Sequence, residues 1–112
     1  IQGILIGMND FTQLFLGIDR NHPAFENILA QNQPAIMSAI AQLVQRATAL
    51  ELPTNLCGSI THYPAEWLDQ LLKDGLSGVS VDVDGVAPTR MAIAQAEARL
   101  LKERSNARFN VN

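Results

Sequence analysis

The sequence predicts an α/β fold with parallel strands. Three short apolar stretches, at residues 1–7, Thr54–Cys57 and 78–83, each give way to a segment whose apolar residues recur at helical spacing. Each switch is punctuated by Gly, Pro, Asn or Asp. Strands that alternate with helices of roughly ten residues or more need crossover connections, which makes the sheet parallel and the crossovers right-handed.

The first stretch is apolar at successive positions, Ile4-Leu5-Ile6, as in a strand buried between layers, and it stops at Gly7-Met8-Asn9-Asp10. Asn9 or Asp10 is expected to cap a short helix that runs through Leu16. Beyond Gly17 lies a polar connection, Asp19-Arg20-Asn21-His22-Pro23, with one helical turn at residues 25–29. Pro34 suits the first turn of a long helix ending near Leu50, with Ile36, Ile40, Leu43, Val44 and Ala47 as its apolar stripe. Pro53 opens the second strand, which Gly58 ends. Pro64 starts a helix through Trp67, Leu68, Leu71 and Leu72, and Gly75 supplies a left-handed stop. The third strand reaches Val83 and ends at Asp84-Gly85. The last helix covers residues 87–104 through Met91, Ile93, Ala94, Ala98 and Leu101, with a frayed tail after Ser105.

The 112 residues fit one small domain, and 47% hydrophobic with 17% charged residues excludes a disordered or fibrous chain. Eight basic against eleven acidic residues are scattered along a chain of net charge −3, so no nucleic-acid footprint appears. Cys57 is the single cysteine, so no internal disulfide can form, and neither the cysteine nor the two histidines stand at zinc-site spacing. A reducing, cytoplasmic setting is the expectation. No apolar run approaches the roughly 18–20 residues of a membrane helix. The chain begins with Ile1 inside an apolar run, which reads as a piece of something longer.

In a parallel barrel or sheet, functional groups sit at the C-terminal ends of the strands. Those ends are Asn9-Asp10, Cys57-Gly58-Ser59 and Asp82-Val83-Asp84. A strand-end carboxylate can bind a hard cation, an amide can hold an oxyanion and a thiol can carry a proton, a set suited to metal-assisted chemistry beside a carbonyl. The commoner roles of such residues are structural. On spacing alone Asn9, Asp10, Asp82 and Asp84 read first as caps and turns, Cys57 as a small core residue, and His22 and His62 as solvated loop residues. Composition and spacing therefore stop at an α/β domain with three unassigned strand ends.

The segment Gly7-Met8-Asn9-Asp10-Phe11-Thr12-Gln13 with Asp19-Arg20 resembles the G-[ST]-N-D-L-T-Q…D-R signature of the phosphoenolpyruvate-utilising enzymes. Leu56-Cys57-Gly58 is similar to the family's second motif. Gly78 to Val86 followed by Thr89-Arg90 looks most like the closing strand and helix of the synthase branch, which makes phosphoenolpyruvate from pyruvate, ATP and water. The resemblance runs through nearly the whole chain in order. It implies the C-terminal three βα units of a (β/α)₈ TIM barrel, the phosphoenolpyruvate/pyruvate domain of a phosphotransferase. At about 31 residues per unit, three units take about 94.

The resemblance implies a role for each matching residue. Cys57 is the acid/base that exchanges a proton with the methyl or methylene carbon, a thiol of reference pKa about 8.5 being well placed for it. Asp10 is a Mg²⁺ ligand, Asn9 hydrogen-bonds the phosphoryl or carboxylate group, and Gly58 lets substrate approach the backbone. The implied partners are pyruvate or phosphoenolpyruvate and the phosphohistidine and nucleotide-binding domains of a parent chain, with 1–112 alone expected to be inactive and to hold metal weakly. Pyruvate phosphate dikinase, enzyme I of the sugar phosphotransferase system and a non-catalytic module of the same fold are the alternatives. The sequence departs from the pattern at Met8 (usually Thr or Ser), Phe11, Asn55-Leu56, Ser59 and Asp82-Val83. An unrelated α/β domain would place Cys57 and Asp10 at opposite ends of the sheet.

Three adjacent strands of a barrel leave two edges open. Two or three unpaired buried groups per edge cost about 4–18 kcal/mol at about 1–3 each, comparable with a typical domain's whole stability of about 5–15. The isolated chain is therefore expected to self-associate, most simply as a twofold dimer. Light scattering at high micromolar concentration should return a mass above that of the monomer; a clean monomer contradicts the expectation.

Overall fold

A parallel register is what organises the chain. In the computed structural model, which describes residues 2–109, strands β1 (Ile4–Gly7), β2 (Thr54–Cys57) and β3 (Gly78–Ser80) form one sheet in the order β1-β2-β3. Ile4 lies beside Thr54 and Gly7 beside Cys57, while Cys57 in turn lies beside Ser80. Between them run α1 (Met8–Leu16), α2 (Phe25–Ala49) and α3 (Ala65–Asp74), and a 3₁₀ turn (Val83–Gly85) leads into α4 (Val86–Phe109). The outer edges of β1 and β3 have no strand beside them among the described residues.

Strand alternation sorts the side chains into a covered and an open face. Ile6, Thr54 and Leu56 are buried, and Ile6 and Leu56 pack with Ile36, Ile40 and Val44 of α2 and Leu68 and Leu71 of α3. On the other face Leu5 is 68% exposed and Cys57 and Ser80 are exposed. The first strand is thus not buried between layers as its composition suggests. The chain's own helices cover one face, and nothing in residues 2–109 covers the other.

Several boundaries differ from the sequence reading for identifiable reasons. Residue Gly7 takes the cap position of α1, so Asn9 and Asp10 stand inside its first turn and neither caps it. Helix α2 begins nine residues before Pro34, because Phe25 is buried and Leu29 packs on the core, which fixes the extra turns despite the missing N–H of proline. Leu43 sits at the edge of the α2 stripe, 40% exposed. Strand β3 stops at Ser80, whose carbonyl accepts the Gly58 N–H at 2.9 Å; beyond it β2 offers no further partner, and the chain turns through Asp82–Gly85. Helix α4 starts at Val86 and continues past Ser105 to Phe109. Ile1 of the first stretch and the last residues of the expected frayed tail lie outside the described residues.

The face of α4 is also rotated from the one read in the sequence. Its inward residues are Thr89, Ala92, Ile93, Ala96 and Arg99, whereas Met91, Ala94, Ala98 and Leu101 are exposed. A polar contact sets this choice: Arg99 grips Asp69 of α3 with Nε and Nη2 at 2.9 and 2.8 Å, while Ala96, fully buried, lets the helices approach. The α2–α3 contact carries its own polar tie, with Trp67 Nε1 donating to the Met37 carbonyl at 3.0 Å. Gly75 ends α3 at φ 107°, the left-handed stop expected of it. Among the described residues no helix is long and apolar enough to cross a membrane.

Leu56, 0% exposed at the centre of the covered face, is the most direct probe of this core. Leu56→Ala should cost about 2–5 kcal/mol in urea unfolding, and Leu14→Ala, at a residue 83% exposed, less than about 0.5. Equal losses at both positions would contradict the assignment of the covered face.

Candidate functional site

The last row of the sheet is Gly7, Cys57 and Ser80, side by side. Because α1 begins at Met8 with no intervening loop, Asn9 and Asp10 hang over this row from the helix's first turn. The N-terminal end of a helix carries unpaired N–H groups and a partial positive charge, and it favours a carboxylate such as Asp10 there. Both side chains are exposed, as is Cys57. A cysteine read as a small core residue therefore points to solvent, on the open face of the sheet.

A groove of about 930 Å³ runs along these strand ends. All four residues singled out from the sequence, Asn9, Asp10, Cys57 and Gly58, line it, so Asp10 and Cys57 lie at the same end of the sheet. The opposite-end arrangement of an unrelated domain does not occur. Asp19, Asp82 and Asp84 add carboxylates to the walls and Arg20 adds a guanidinium, giving a groove that is acidic on balance. Among the described residues no three His, Cys, Asp or Glu side chains come together as a metal cage.

Gly58 owes its glycine to Met8. It adopts φ 142°, and a Cβ there would stand 2.8 Å from the Met8 Cβ, a contact that backbone and side chain cannot relieve together. Its N–H is already given to Ser80, so Gly58 brings space rather than a donor to the groove. Met8, 4% exposed, forms the wall between the groove and a second cavity of about 550 Å³. That cavity is lined by Phe25, Leu29 and Tyr63, with His62 at its rim. Burial raises the Tyr63 phenol above its ordinary pKa, and a hydrogen bond with the Thr12 side chain partly offsets the rise. His22 and His62 are exposed, as loop histidines are expected to be, and His22 Nδ1 accepts the Ala24 N–H at 3.0 Å.

Two features of the site escape sequence reasoning. Ser80 lies beside Cys57 and lines the groove, yet a third strand drawn on to Val83 hides it mid-strand. Asn55, two residues before Cys57 and on the same face, donates from Nδ2 to Ser80 Oγ at 2.7 Å. Alternation from Cys57 backwards places Asn55 on that face, but the partner depends on register, which no local pattern in a three-residue strand sets.

Comparison with known proteins agrees with this geometry. A family model described as PEP-utilising enzyme, PEP-binding domain, matches residues 1–98. A probable phosphoenolpyruvate synthase of Staphylothermus marinus is 31% identical over 112 aligned positions, covering 95% of this chain and 13% of the relative. The phosphoenolpyruvate synthase of Aeropyrum pernix is 30% identical over 93% of this chain and 13% of its own length. That of Aquifex aeolicus is 31% identical over 88% of this chain and 11% of its own. The chain thus spans about an eighth of these relatives. No solved structure gives a match. With the signature residues gathered at one end of a parallel sheet and a family match over residues 1–98, the chain belongs to the PEP-utilising enzymes and matches their PEP-binding domain.

Proposed function

We infer that the chain forms the C-terminal three βα units of a phosphoenolpyruvate/pyruvate barrel in a synthase-like phosphotransferase. One observation carries this reading: Asn9, Asp10 and Cys57, from two different strand ends, line one groove over the C-terminal edge of a parallel sheet. The curated relatives named above are synthases, which supports that branch over the dikinase and enzyme I.

In this reading Cys57 handles the proton on the substrate carbon. As thiolate it takes a proton from the pyruvate methyl group, the C–H electron pair moves into the carbonyl, and an enolate results. In the reverse direction the thiol returns the proton to the methylene carbon. The position suits a proton carrier, because an exposed thiol on the sheet's open face is free to meet a substrate carbon from the groove. Asn9 donates from its amide to the phosphoryl or carboxylate oxygens, and the free N–H groups at the start of α1 favour the same anion. The phosphoryl group itself arrives from a phosphohistidine outside this sequence.

Mg²⁺ keeps several waters and is held by one or two carboxylates together with substrate oxygens. The exposed Asp10 carboxylate on the groove fits one such position, and the remainder must come from water, substrate or protein beyond this chain. When bound, the ion draws off the negative charge that builds on the enolate oxygen. A metal held by one protein carboxylate is expected to bind weakly to residues 1–112 alone.

Solution NMR with Mg²⁺ plus oxalate, a planar mimic of the pyruvate enolate, tests the reading. Backbone signals of Asn9, Asp10, Cys57 and Gly58 should shift together at millimolar ligand, with Leu71 in the core unmoved. Shifts confined to other parts of the folded chain, or none, would contradict a phosphoenolpyruvate/pyruvate site at these strand ends.

A further inference from the structure

An anion entering this groove meets an electrostatic obstacle. Asp10, Asp19, Asp82 and Asp84 line it against the single guanidinium of Arg20. Gly58, the backbone group beside the thiol, has already spent its N–H on the Ser80 carbonyl at 2.9 Å. Beyond the Asn9 amide, a keto acid held beside Cys57 therefore gains from a further neutral donor that is still free.

Ser80 meets that description. It is Cys57's lateral neighbour in the last row of the sheet, it is exposed, and it lines the groove. Its oxygen accepts the Asn55 Nδ2–H at 2.7 Å, so one lone pair is engaged and the hydroxyl proton is left to donate elsewhere. The Asn55 Oδ1 lies over Gly78, where a Cβ would come within 2.6 Å of it, so a larger residue at position 78 would move the amide. The geometry points to Ser80 as a substrate-binding residue: its hydroxyl, turned by Asn55 above Gly78, donates to the carboxylate of the 2-oxo acid held beside Cys57. The identity of that anion rests on the pyruvate reading; the aimed hydroxyl does not.

A pair of thiol reagents isolates the effect. 3-Bromopyruvate and bromoacetone both present a bromomethyl ketone; only the first carries a carboxylate. In each case the Cys57 sulfur bonds to the bromine-bearing carbon and bromide leaves with its electron pair. The ratio of the two alkylation rates on the 112-residue chain reads carboxylate recognition next to the thiol, and the bromoacetone rate alone reports folding and thiol reactivity. Ser80→Ala should lower the ratio about 3- to 10-fold, the range of one ordinary net hydrogen bond, with the bromoacetone rate unchanged. Ser80→Thr, which keeps the hydroxyl, should retain the ratio, and Gly78→Ala, which displaces the Asn55 amide, should lower it. An unchanged ratio in Ser80→Ala would overturn the assignment. A lowered ratio together with silence toward Mg²⁺ and oxalate would keep Ser80 as a carboxylate donor and count against the pyruvate reading alone.

Discussion

The constraint on which the rest of this structure depends is the shared last row of its sheet. Parallel pairing of Ile4 with Thr54 and Asn55 with Gly78 brings Gly7, Cys57 and Ser80 level. A slip of one residue in either pair would turn the affected side chains to the opposite face. Cys57 would then enter the core in place of Leu56, and the groove would lose its thiol. The register is enforced from the covered face, where Ile6 and Leu56 fit among the α2 and α3 side chains with exposures of 5% or less. Core packing on one side of the sheet thereby fixes the position of reactive groups on the other.

That division explains the uneven character of the chain. The covered face is built for stability, with interlocked aliphatic side chains and the Arg99–Asp69 and Trp67–Met37 ties between helices. Thr54 Oγ1 is buried there with no hydrogen-bond partner among the described residues, a modest cost at the foot of β2, far from the strand ends. The open face carries Leu5, Asn55, Cys57 and Ser80, a mixture that makes a poor core and a poor solvated surface. In the reading advanced above this face is the interior of a barrel, and the groove at its upper rim is the part of the substrate site that three βα units can supply.

Much of this was legible in the sequence where local chemistry decides it. The three strands, the Gly75 stop and the inward positions Ile36, Ile40, Val44, Trp67 and Leu68 follow from periodicity and glycine alone. The motif residues Asn9, Asp10, Cys57 and Gly58 come from resemblance, and the structure brings them to one groove. Where sequence reasoning failed, a tertiary contact overrode a local signal. Buried Phe25 carries α2 back across Pro34, and the Arg99–Asp69 pair and fully buried Ala96 turn α4 away from its larger apolar residues Met91 and Leu101. Ser80 was hidden because the end of a strand is set by its neighbour's length, which lies 23 residues upstream in Cys57.

The central claim is that these strand ends form the proton-carrying part of a pyruvate site. Its most direct test is to replace the matching segment of the Aquifex aeolicus synthase, 31% identical over 98 positions, with this chain. Deuterium exchange into the pyruvate methyl group is then followed by NMR in the presence of Mg²⁺. The account predicts exchange in the folded chimera and its loss in Cys57→Ala. Exchange that persists without the thiol, or a folded chimera that exchanges nothing, would contradict it.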